Sequence, residues 1–102
     1  MIVFSLNGGS WVASYKGLII ELSCKCVTLT NAKHNTEAVI RFSEIIQDVS
    51  ELSFFYNETK ERCAIILPKE LGQLEVSDIG MSLVLSQFDT AGVKVQTVTV
   101  HI

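Results

Sequence analysis

Cys24-Lys25-Cys26 carries two thiols at a spacing that an extended strand turns to one side, and Cys63, His34 and His101 add further sulfur and imidazole donors. Thiolate and imidazole are the ligands of structural zinc, but such sites use four ligands, usually from two Cys-x2–4-Cys knuckles. Here a lone Cys-x-Cys lies in an apolar run with no second pair. The thiols are therefore expected to pack as small hydrophobes, with no metal and no cofactor. A redox function would want a Cys-x-x-Cys at a helix start, which is absent. Three cysteines, an odd number, with no basic leader at Met1-Ile2-Val3-Phe4-Ser5, read as reduced thiols in a cytoplasmic protein.

Acid–base chemistry is no better supplied. His34 falls in the polar stretch Asn31–Thr36 and His101 beside the last residue. No Gly-x-Ser-x-Gly presents a serine. Glu58 and Glu61 belong to a charged stretch, Asn57-Glu58-Thr59-Lys60-Glu61, which reads as the solvated tip of a hairpin. Asn7-Gly8-Gly9-Ser10 is a turn rather than a phosphate cradle. No residue is nominated as catalytic, and the chain is expected not to be an enzyme.

One segment carries a more particular pattern. Glu75-Val76-Ser77-Asp78-Ile79-Gly80 resembles the Asp/Asn-x-Ser-x-x-Gly signature of PilZ domains, small β-barrels that bind cyclic di-GMP. In that family an upstream Arg-x-x-x-Arg pair grips the phosphates and stacks on guanine. Glu75 departs from the first motif position, and Arg62 stands alone. The resemblance thus implies a degenerate module without the phosphate grip, which would be a small-ligand-binding barrel.

The elements that must position these residues are mostly strands. Hydrophobic residues make up 48% of the 102-residue chain and charged residues 19%, below the usual charged share of about 25%. That length suits one domain, 1–102, with one core. The longest apolar runs fall far short of the roughly 20 residues of a membrane helix. Eight Lys and Arg scattered through a chain of net charge −3 form no basic face for nucleic acid. Surplus apolar surface without a membrane points to self-association or to another protein as partner.

Leu18 to Thr30 alternates like one long strand and then changes phase. Leu18, Ile20, Leu22, Cys24 and Cys26 share a face, whereas Val27 and Leu29 occupy the other, which demands a bulge, a bend or burial on both sides. Val93 to Ile102 does the same, with Val93 and Val95 on one face and Val98, Val100 and Ile102 on the other. Ser43 to about Leu52 is expected as the one helix, capped by Ser43, with Ile45, Ile46, Val49 and Leu52 in one stripe. The fold class is mainly β, or α+β with a dominant antiparallel sheet. About eight or nine strands are expected in a small barrel or two-layer sandwich. Phe54 and Phe55 must point to opposite faces. Trp11, Tyr15, Phe55, Val98 and Val100 are the candidate interface residues of a non-enzymatic, self-associating assembly module.

Overall fold

The computed structural model describes residues 1–57, 62–68 and 71–102. The expected hairpin tip with Glu58 and Glu61 lies outside the described residues.

Period-2 alternation drives the architecture. The strands are β1 (Ser5–Asn7), β2 (Ser10–Tyr15), β3 (Leu18–Leu22), β4 (Cys26–Asn31) and β5 (Thr36–Arg41), then β6 (Ser53–Asn57), β7 (Arg62–Ile66), β8 (Gln73–Ile79), β9 (Ser82–Phe88) and β10 (Lys94–His101). The first five form one antiparallel sheet in sequential order, and the last five form a second. The described strands number ten, somewhat more than the sequence suggested. A tight turn sets the β2–β3 register. Lys16 and Gly17 both take positive φ, 47° and 80°, which lets a two-residue loop join Tyr15 to its partner Leu18. Among the described residues no helix is long and apolar enough to cross a membrane.

The phase change after Leu22 is a hairpin rather than a bulged strand. Ser23 donates its backbone N–H to the Cys26 carbonyl at 2.9 Å, the chain reverses through Cys24-Lys25, and Leu22 then faces Val27 across β3 and β4. Both side chains point inward and are fully buried. The second phase change is a bulge. Lys94 pairs with Phe88 and Gln96 with Gln87, so Val95 is the extra residue, and Val98 and Val100 turn inward beyond it.

The helix expected over Ser43–Leu52 does not form. Only Val49–Glu51 makes a 3-10 turn, capped by Asp48, whose carboxylate accepts from the Ser50 N–H at 2.9 Å. Tertiary bonds displace the i→i−4 ladder: Phe42 N–H donates to the Lys25 carbonyl at 2.9 Å and Ile46 N–H to the Cys24 carbonyl at 2.8 Å. The segment must also carry the chain from the first sheet to the second. An extended strap spans about 3.3 Å per residue where a helix spans about 1.5 Å. Ile46 and Val49 are buried along it, so the apolar stripe is used without a helix.

The inner faces of the two sheets meet in one core. Leu18, Ile20, Leu22, Val27, Leu29 and Ile40 come from the first sheet, while Cys63, Ile65, Leu74, Val76, Leu83 and Leu85 come from the second. The two sheets therefore form two layers, and the Cα radius of gyration is 12.6 Å, near the value of about 13 Å expected at this length.

Candidate interaction surface

The residues that could do chemistry are kept apart. Cys24 sits in the β3–β4 turn and packs against the core, whereas Cys26 begins β4 opposite Arg41. Cys63 is fully buried in β7, and burial pushes its thiol up to about 11. Among the described residues no three of His, Cys, Asp and Glu come together as a metal cluster would require. His34 is exposed in the β4–β5 loop, and His101 is exposed at the end of β10.

The Glu75–Gly80 segment forms most of β8 and the start of the β8–β9 turn, where Gly80 takes φ +62°. Glu75 and Arg62 form an ion pair across β7 and β8, and the Ser77 hydroxyl donates to the Glu75 carboxylate at 3.4 Å. Asp78 accepts from the Tyr15 hydroxyl and from the Lys16 ammonium, both at 2.6 Å, and so ties the second sheet to the β2–β3 turn. These groups bind one another and hold the fold together.

Four of the five candidate interface residues pack inward. Trp11 meets Phe54 edge-on, with ring centroids 4.8 Å apart, and its indole N–H donates to the Val49 carbonyl. Tyr15 and Val100 are buried, and Val98 is half-buried against the same core. Phe55 is the exception, at 55% exposed. Its neighbour Phe54 turns inward and stacks on Phe4 with centroids 5.2 Å apart.

Phe55 stands on the outer face of the second sheet, directly opposite Ala64 on β7. Ile66, two residues along the same face, is 48% exposed. Phe55, Ala64 and Ile66 thus make an apolar patch at the sheet's margin, bounded by the Arg62–Glu75 pair. The sequence reading missed Ile66, although strict alternation of the buried Cys63, Ile65 and Leu67 leaves it facing outward.

The margins of the two sheets differ. β1 is three residues long. β5 and β10 lie beside each other: Gln96 of β10 donates to the Arg41 carbonyl of β5 at 2.9 Å, and the buried Asn31, at the end of β4, donates to the His101 carbonyl of β10 at 2.8 Å. β10 is further distorted by its bulge. β6 remains. Its residues, Ser53-Phe54-Phe55-Tyr56-Asn57, include no charge, no Pro and no Gly. Among the described residues its ladder partner is β7 alone. It meets the N-terminal segment through the stack of Phe4 on Phe54. No family model, no curated protein and no solved structure gives a significant match to this chain.

Proposed function

We propose that the protein is a non-enzymatic assembly module that self-associates through β6. Two copies pair edge to edge, antiparallel about Phe55, and join their second sheets into one. The observation that carries this reading is the unguarded edge. Sheets ordinarily protect their margins with charge, Pro, bulges, short strands or a covering element. The other three margins use such devices, whereas β6 carries no charge, Pro or bulge and has no second ladder partner among the described residues. An antiparallel β6 pair is isologous, so the same patch serves both partners. It brings the two Phe55 rings onto one face as a cross-strand aromatic pair, flanked by Ala64 and Ile66 of each copy. The odd cysteine number and the three free thiols support placement in a reducing, cytoplasmic compartment.

Phe55→Lys tests the reading, because it places a charge in the middle of the edge without touching the core. Light scattering coupled to size exclusion is expected to find a dimer for the wild type. The variant should be monomeric at the same concentration, with self-association weakened at least about tenfold and unfolding temperature unchanged. A wild type that stays monomeric at high concentration, or a variant that still dimerises, would overturn the proposal.

A further inference from the structure

The strap that links the sheets leaves a groove of about 480 Å³ between itself and the β7–β8 end of the second sheet. Ile45, Leu52, Ile66 and Pro68 contribute its apolar lining. Ile45 is 64% exposed, an aliphatic side chain left without cover. Glu44, Asp48 and Glu51 line the same groove, and no described lining residue is basic. The imbalance is regional: from Phe42 to Thr59 the sequence carries Glu44, Asp48, Glu51 and Glu58 and not one Lys, Arg or His. The ion pairs found among the described residues, Lys16–Asp78 and Arg62–Glu75, lie elsewhere.

An apolar floor of this size is typical of a binding cleft, where hydrophobic burial supplies affinity and a few polar groups fix orientation. Here the ionised groups on the described lining are all acidic, so the complementary ligand is cationic at its flanks and apolar at its centre. We propose that the groove docks a short basic segment of a partner protein. One aliphatic or aromatic side chain of that segment packs between Ile45, Leu52 and Ile66, while Lys or Arg on either side face Glu44, Asp48 and Glu51. The groove adjoins the Phe55 pairing edge and shares Ile66 with its flank, but Phe55 itself does not line it, so each copy in a dimer would offer its own groove.

A random peptide phage library panned on the wild-type protein provides the probe, and the most enriched peptide is then synthesised and titrated by calorimetry. Enrichment of Lys or Arg around a large apolar residue is expected. Glu44→Lys/Glu51→Lys should weaken binding of that peptide about tenfold, and Ile45→Ser should weaken it several-fold. Added salt should weaken it as well. Glu21→Lys/Glu37→Lys changes net charge equally on the outer face of the first sheet and should leave binding unaltered. Phe55→Lys should also bind normally, which separates a failure of this site from a failure of self-association. No enrichment of basic peptides, or equal weakening by the two charge-reversed pairs, would overturn the proposal. So would loss of the dimer in Ile45→Ser, because the groove would then belong to a second copy.

Discussion

Gly72 closes the connection into β8 at φ +79°, and a Cβ built on it would stand 2.0 Å from the Phe88 carbonyl oxygen and 2.9 Å from the Asp89 backbone. Those atoms cannot swing aside as a side-chain tip would. Phe88 is held in the ladder by Gln73 and Lys94, and the Asp89 N–H donates to the Val93 carbonyl at 2.9 Å. Gly72→Ala therefore combines two costs. A left-handed backbone at a residue with a Cβ costs about 1–2 kcal/mol, and forcing the end of β9 outward adds about 1–3 kcal/mol. Together they remove about 2–5 kcal/mol from a domain whose whole stability is about 5–15 kcal/mol. Gly80, at φ +62° with nothing within 4 Å of an added Cβ, isolates the first cost. Urea unfolding followed by the fluorescence of Trp11, the one tryptophan, should place Gly72→Ala well below Gly80→Ala. In temperature the difference is about 4–8 °C for each kcal/mol. Equal midpoints for the two variants would mean that β9 does not press on Gly72, and the description of this connection would be wrong.

Asn31→Ala should cost about 1–3 kcal/mol, because it strips the His101 carbonyl of its donor between the end of β4 and β10; hydrogen exchange at the end of β10 should quicken. The Ser50 hydroxyl and N–H hold the Asp48 carboxyl below its ordinary 3.8, so its capping contribution is present above 3.8 and is lost as pH falls through the lowered value. Wild type and Asp48→Ala should accordingly differ in stability near neutrality and converge in acid. Burial holds Cys63 protonated, from an ordinary 9.0 up to about 11, so stability should decline as pH rises from 9.0 through that value. At about pH 8 iodoacetamide should spare Cys63 in the native protein and label it in urea, and equal labelling in both would contradict its burial.

The β character was legible because alternation at period 2 follows directly from strand geometry: in β3 Leu18, Ile20 and Leu22 are buried while Ile19 and Glu21 are exposed. The two phase changes show where such reading ends. At Val95 a bulge was among the solutions the pattern demanded, and the register contains one. At Leu22 the same pattern conceals a hairpin, because Cys24-Lys25 contains none of the Gly, Asn or Pro that ordinarily mark a turn. The stripe of Ile45, Ile46, Val49 and Leu52 fits a helix locally. What prevents the helix is the pair of Cys24 and Lys25 carbonyls, distant in sequence, that take the N–H groups of Ile46 and Phe42. For the candidate surface, alternation established that Phe54 and Phe55 part to opposite faces. Which of them meets the core depends on Phe4 and Trp11, whose positions only the folded chain supplies.

Scattered exposed aliphatics such as Ile19 and Ile79 need no explanation, since apolar atoms cover much of any protein surface. Phe55 differs because it combines an apolar neighbourhood with a strand that has ladder groups to spare. Of the two places where the sheet margins meet, β10 is bridged to β5 and to the end of β4 by hydrogen bonds that occupy main-chain carbonyls. The other, where Phe4 and Trp11 meet Phe54, is closed by rings and leaves the outer side of β6 unladdered among the described residues. An open edge on each side of a molecule would support unlimited growth, strand upon strand. With β1 short, β10 set against the first sheet, and β6 the one edge without a further ladder partner among the described residues, a two-fold pairing would use the open edge of both copies at once. Under the proposed pairing growth would stop at two, a closed dimer rather than a filament.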